Sequence, residues 1–261
     1  MIKKILKITR NLTILVIGIT SLYLINLFYM KPFSIDHFLG KELAMELVDS
    51  PEALTYIGIF DRFNWITKHN SKLSIPEDGD LENEINKTKG IIRNLYKYED
   101  VNLSDTQKST KKIAIFDYEN NLKELQDFPY HDYPLNQIGG IHLNTIEFMS
   151  DMHPVRNKNE ANDFIKRVNL IKEVYEGIAT ELEKQSEAGI FPPEFVYVRV
   201  IEQLNEFINY SYNEHPLYNQ FNKKVLLLNL SEEEEEFFKN AIKNSIDKSV
   251  TPGFKILRAF M

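Results

Sequence analysis

Six histidines and many carboxylates are the side chains here that could hold a metal or move a proton. They crowd most densely into residues 136–154, "NQIGGIHLNTIEFMSDMHP", which holds His142, His153, Glu147, Asp151, two asparagines and Gln137. A zinc peptidase needs two imidazoles one helical turn apart, with a glutamate between them as base. No H-E-x-x-H occurs. His131, His142 and His153 follow one another at intervals of eleven residues, and Pro154 ends any helix around the last. Asp117, Glu119, Asp132, Glu147 and Asp151 could furnish carboxylate pairs, but nothing in their spacing brings two together. Gly139-Gly140 lacks the spacing of a phosphate loop, no G-x-S-x-G elbow is present, and there is no cysteine nucleophile.

The stretch therefore reads as a connection. Pro134 and the glycine pair make turns, 143–150 forms a short helix, and His153-Pro154 stops it. Tyr133, Asn136, Gln137, His142 and His153 stay as candidates for contact with a cleft or a partner. No catalytic, cofactor-binding or metal-ligating residue is expected in this chain.

The elements around the stretch read as helices throughout. A short helix is expected over 35–48, and Ser50 before Pro51 starts another. "KLSIPEDGD" reads as a loop. Residues 81–99 place Ile85, Thr88, Ile92, Leu95 and Tyr96 on one face, and 107–126 do the same with Ile115, Tyr118, Leu122 and Leu125, as an antiparallel pair. One long helix is expected from Asn157, three before Glu160, through Ala161, Phe164, Val168, Ile171, Tyr175, Ile178 and Leu182 to a left-handed cap at Gly189. "FPPEF" starts the next, with Val198, Ile201, Leu204 and Ile208 as its buried face. Ser231 and Glu234 form a capping box ahead of a stripe of Phe237, Phe238, Ala241, Ile242 and Ile246. The five glutamates there read as a solvated first turn. A last helix starts at Thr251-Pro252 and presents Phe254, Leu257 and Phe260. The fold class is all-α, with stacked antiparallel helices.

Residues 11–30 carry no charge, and twenty residues at 1.5 Å each span about 30 Å, the thickness of a bilayer core. Lys3, Lys4, Lys7 and Arg10 precede the segment, which predicts a cytoplasmic stub over 1–10 and a single-pass signal-anchor over 11–30. The helical domain, 31–261, is then expected outside the cytoplasm. A cleaved signal peptide would want small residues after the apolar run, where Phe28, Tyr29 and Met30 stand. Thirty-one Lys and Arg less those four leave 27 against 38 acids, a balance of −11. Such a surface repels phosphate backbones, so no nucleic-acid partner is expected.

"DYPLNQIGGIHLNTIEFMSDMHPVRNKNEANDFIKRV" followed by "GIFPPEFVYVRVIEQLNEFI" resembles the bacterial family called domain of unknown function 885. The residues that carry the likeness are Tyr133, Pro134, Asn136, Gln137, Gly140, His153, Pro154, Gly189, Ile190, Pro192 and Pro193. "SPEALTYIGIFDRFNW" is similar to the family's opening. The resemblance implies a fold of the zincin-peptidase kind, about twice as long, whose zinc helix lies in a second half. This chain would then be the first, non-catalytic half, a membrane-anchored truncated form, with 133–154 as a cleft wall or hinge. The alternative is an extracytoplasmic binding module that docks a partner on the last helix, 251–261.

Overall fold

The computed structural model describes residues 2–261; Met1 of the expected basic stub, and the side chain of its Lys3, lie outside the described residues. In chain order the helices are α1 (Ile2–Tyr29), α2 (Ile35–Asp49), α3 (Pro51–Ile57), α4 (Asn64–Thr67), α5 (Asp80–Tyr96), α6 (Asp105–Asp127) and α7 (Ile141–Glu147). They continue with α8 (Lys158–Asn169), α9 (Ile171–Glu187), α10 (Glu194–Asn209), α11 (Pro216–Leu226), α12 (Glu232–Ser245) and α13 (Thr251–Phe260). Among the described residues there is no strand. The chain divides into two compact units, residues 1–46 with 81–127, and residues 47–80 with 128–261.

In the first unit, α5 and α6 run antiparallel. The Tyr96 hydroxyl donates to Glu119 at 2.8 Å, and Lys111 reaches back to the Tyr98 carbonyl at 2.6 Å. Their core is small: Ile35, Phe38, Ile91, Leu95 and Tyr98, with Ile115 and Tyr118 packed against it. Tyr96, expected on the buried face, is exposed; its ring turns outward so that its hydroxyl can reach Glu119. Within α1, Leu6–Tyr29 is long and apolar enough to cross a membrane, and its apolar side chains lie open.

The second unit holds the main core, from Leu135 and Met149 through Phe164, Tyr175, Val200, Phe221 and Ile242 to Leu257. Several expected caps are present. Ser50 Oγ accepts from Ala53 N, Asn157 Oδ1 from Glu160 N, and Ser231 with Glu234 closes a reciprocal capping box. Gly189, at φ +73°, terminates α9, with Ile190 N reaching back to the Gln185 carbonyl.

Five expectations are corrected. The long helix from 157 to 189 is two helices broken at Leu170. The Ser249 hydroxyl enters the break, donating to the Asn169 carbonyl and accepting from Lys172 N, both at 3.0 Å. A side chain inserted into the ladder bends a helix at that point. On α10 the buried face is Val196, Val200 and Leu204, four residues apart, which leaves Val198 half-exposed. On α12 Phe238 is buried and Phe237 is 61% exposed, because neighbouring residues sit about 100° apart on a helix and only one of them can face the core. Thr251 does not start a fresh helix: α12 passes through a π-helical turn, Ile246–Val250, straight into α13. Phe254 and Leu257 are fully buried, Phe254 stacked on Phe207 at 4.7 Å, so the surface expected on 251–261 keeps only Phe260.

Two helices, the short α4 and α11, had no sequence expectation. Helix α11 begins at His215-Pro216, where the imidazole Nδ1 accepts from Leu217 N as a cap, and Leu217, Phe221 and Val225 form its buried stripe. The Pro at the first turn and the spacing of four were both readable.

Candidate functional site

Within 133–154 the side chains of His142, Thr145, Ser150 and His153 turn inward, while Asn144, Glu147 and Asp151 are exposed. Asn136 makes the turn: its Oδ1 accepts from Ile138 N at 3.1 Å and Gly139 N at 2.8 Å, and its Nδ2 donates to the Tyr133 carbonyl at 3.2 Å. Gly140 must lack a side chain, since a Cβ there would stand 2.6 Å from the Asn136 carbonyl oxygen and 2.8 Å from His142 Cε1. A helix then forms over 141–147, and a π-helical turn, Phe148–Met152, closes on His153 N.

His142 is fully buried. Its Nε2 donates to Gln203 Oε1 at 2.9 Å, and Gln203 Nε2 in turn donates to the Gln137 carbonyl at 3.1 Å. Burial pushes its pKa down, against the pull of Gln203. Both nitrogens of buried His153 face carbonyl oxygens, Nε2 that of Asn70 at 2.8 Å and Nδ1 that of Pro154 at 2.9 Å. Burial, and then the nearby Arg167 guanidinium, push its pKa down to about 3, so the ring is neutral and donates through one nitrogen only. Tyr133 sits at a shallow pocket of about 60 Å³ with Gln185, Phe191, Pro192 and Phe260.

A second polar region, with no counterpart in the sequence reading, lies between residues 51–72 and α8. Arg167 is fully buried at its centre. Its Nε donates to the Lys72 carbonyl at 2.6 Å, and its Nη2 donates to Thr55 Oγ1 at 3.0 Å and to the His69 carbonyl. Thr55 passes its own proton to Asn70 Oδ1 at 2.8 Å, and Asn64 ties Asn70 N to Asp163. Desolvation lowers the Arg167 pKa to about 10, still far above neutrality. A guanidinium with donors in several directions can hold together a segment that has little regular backbone structure of its own.

Outside this knot opens a groove of about 600 Å³, lined by Asp61, Arg62, Asn64, Trp65 and Lys68 from one side and by Asn157, Glu160, Asn162, Asp163 and Lys166 from the other. Its lining mixes acids and bases, and Trp65 stands 76% exposed. Arg156 pairs with Asp61 at 2.6 Å and with Glu160 at 2.9 Å. Behind Asp61 lies buried His69, whose Nε2 is 3.4 Å from Asp61 Oδ1, and neither atom has a hydrogen-bond partner. Burial lowers the His69 pKa, with Asp61 opposing.

Among the described residues, no three of His, Asp and Glu converge as metal ligands. His142 and His153 are committed to a side-chain amide and to carbonyls, and His215 Nδ1 caps a helix.

A family model described as "Bacterial protein of unknown function (DUF885)" matches residues 51–261. The chain belongs to this family. Among solved structures, the crystal structure of "the putative lipoprotein from Colwellia psychrerythraea" superposes with a TM-score of 0.69 at 15% identity, over 83% of this chain and 40% of that one. The likeness shows a shared fold, and this chain spans about two-fifths of that protein's length. No curated protein matches the chain.

Proposed function

We propose that this DUF885 protein is a membrane-anchored helical module that binds an extended polypeptide in the groove between residues 61–71 and α8, without catalysis of its own. The observation that carries the reading is the groove itself. Its lining combines Asp61, Glu160 and Asp163 with Arg62, Lys68 and Lys166, several asparagine amides and the exposed indole of Trp65. Amides and paired charges match a peptide backbone with its polar side chains, and an exposed indole supplies an apolar anchor.

Anchoring is supported by the exposed apolar helix at Leu6–Tyr29, with the basic residues ahead of it. The printed description of the Colwellia protein as a lipoprotein points to the membrane as well. The body then lies outside the cytoplasm, on a single span. The shared fold extends over only 40% of that larger chain, which favours a second reading, a module completed by a separate second half.

The test uses the full chain in a neutral detergent and a fluorescent unfolded casein, read by anisotropy with and without added zinc. Binding should weaken at least tenfold in the Trp65→Ala, Asp163→Asn double variant, and the casein should stay intact. Cleavage above background, abolished by chelator, would make the chain an enzyme. Binding unchanged in the double variant would remove the groove from consideration. Release of the chain from membranes by alkaline carbonate would refute the anchor.

A further inference from the structure

The exit of the apolar helix α1 is a built structure. Asn26, near the end of the apolar run, is buried and folds onto the loop that follows. Its Nδ2 donates to the Lys31 carbonyl and its Oδ1 accepts from Phe33 N, both at 2.9 Å. The Tyr98 hydroxyl donates to the Pro32 carbonyl at 2.8 Å. Two side chains, one from α1 and one from the turn after α5, thus fix residues 31–33. Asn26 dilutes the apolarity of the helix because it has this task.

Beside the fixed loop opens a pocket of about 380 Å³, all of it within the first unit. Phe28, Tyr29, Met30 and Phe38 give it an apolar side, and Lys31, Lys41 and Lys97 contribute three ammonium groups. No carboxylate lines it. Lys31 Nζ donates to the Lys97 carbonyl at 2.7 Å and stands 4.6 Å from the centre of the Tyr98 ring. Lys97 Nζ donates to Asn94 Oδ1 at 2.7 Å, and Lys41 pairs with Glu42, which lies outside the lining, at 2.7 Å. Each ammonium carries three donors. The recorded bonds leave Lys31 and Lys97 with donors to spare, and one carboxylate offsets three like charges.

The position matters as much as the charge. The 24 residues of Leu6–Tyr29 reach about 36 Å, slightly more than a hydrocarbon core, so Tyr29 and Lys31 fall at headgroup depth when the helix spans. Cationic groups at that depth meet the phosphates of lipids, and aromatic rings sit at the same level. We propose that this pocket binds the phosphate headgroup of an anionic phospholipid through Lys31, Lys41 and Lys97, with the apolar side facing the glycerol and upper acyl carbons. The proposal rests on the reading that α1 spans the membrane.

The test is native mass spectrometry and thermal melting of the full chain in a neutral maltoside detergent. It is titrated separately with short-chain phosphatidylglycerol, short-chain phosphatidylcholine and inorganic phosphate. Phosphatidylglycerol should be retained and raise Tm, while phosphatidylcholine and inorganic phosphate should do neither. Lys31→Ala, Lys41→Ala and Lys97→Ala together should weaken phosphatidylglycerol retention at least a hundredfold. Lys41→Gln alone, which removes an ammonium paired with Glu42 and 5.3 Å from the centre of the Phe38 ring, should weaken it about tenfold. Retention undiminished in both variants overturns the proposal. Inorganic phosphate binding as well as the lipid, and lost with the lysines, assigns the pocket to free phosphate and overturns the lipid. Carbonate extraction of the wild type separates the two readings: release refutes the span, whereas a retained chain indifferent to phosphatidylglycerol refutes the pocket alone.

Discussion

Arg156 and Arg167 lie eleven residues apart, and both tie residues 51–72 to α8 or its start, yet they do so by opposite means. Arg167 is fully buried and donates to the main-chain carbonyls of Lys72 and His69 and to Thr55 Oγ1. Arg156 is largely exposed and pairs with the carboxylates of Asp61 and Glu160. Buried acceptors cannot exchange their donor for water, whereas surface carboxylates can. The first arginine therefore fixes the shape of the segment, and the second tunes the charge of a groove whose walls are already in place.

The sharpest way to break this contrast is Arg167→Ala. It orphans two carbonyls and a threonine hydroxyl in a dry site, each worth about 1–3 kcal/mol when left unpaired. A loss of about 3–5 kcal/mol is expected in urea unfolding of the full chain in detergent. Arg167→Lys should recover little of it, because a single ammonium cannot replace a fork whose Nε and Nη2 reach different acceptors. A loss under 1 kcal/mol would show that the knot does not hold the segment.

Acid should find the buried side next. The pKa of His153 is held down to about 3 and that of His215 to about 4, chiefly by burial, and His142 is shifted in the same direction. In the unfolded chain these rings take up a proton near 6.5. Between that value and the folded ones the unfolded state binds more protons, so stability is complete above about pH 6.5 and drains as pH falls. The slope is about 1.4 kcal/mol per pH unit for each such histidine at most. Protonation would also put a second cation beside Arg167 and would remove the His215 cap on α11. Urea midpoints at pH 7, 5.5 and 4.5 measure this. His215→Asn, which caps without titrating, should flatten the profile, and an already flat wild-type profile would contradict the neutral-histidine account.

The same inside-and-outside contrast recurs between two adjacent glycines. A Cβ at Gly140 would lie 2.6 and 2.7 Å from the backbone of Asn136, while at Gly139 it would meet nothing closer than 3.9 Å. Gly140→Ala should cost about 1–3 kcal/mol and Gly139→Ala under about 0.5, read as a difference in Tm. Equal effects would mean that the turn relaxes freely.

These cases also mark what the sequence could tell. Helix existence, the Ser50, Asn157 and Ser231 caps and the Gly189 terminator are local, set within a few residues, and they were legible. The break at Leu170 depends on Ser249, some eighty residues on, and no periodicity within 157–189 can report it. The groove was invisible for the same reason: Asp61 and Glu160, or Asn64 and Asp163, are neighbours only after folding. The histidines of 136–154 looked chemical because polar side chains were dense there. Density does not distinguish groups that satisfy one another from groups left open. Helix faces failed by one or two positions, as with Val198, where β-branched residues alternate and a period of two mimics one of four.

The smallest effect is expected at Arg156, and it separates stability from charge. Its guanidinium is 58% exposed, so its ion pairs contribute about 1 kcal/mol and salt screens them. Arg156→Ala should therefore barely move the urea midpoint, and added salt should erase what difference remains. The electrostatic consequence is larger than the energetic one. Asp61 Oδ2 holds Arg156 at 2.6 Å while its Oδ1 lies 3.4 Å from His69 Nε2, so the carboxylate is shared between two bases. With the guanidinium gone, the whole of the Asp61 charge acts on His69, opposing the burial that now depresses it. The His69 pKa should rise relative to the wild type, as followed by NMR of its ring protons at low salt. An unchanged or lower value would mean that Asp61 turns to water instead of His69, and that the groove is tuned by Asp61 alone.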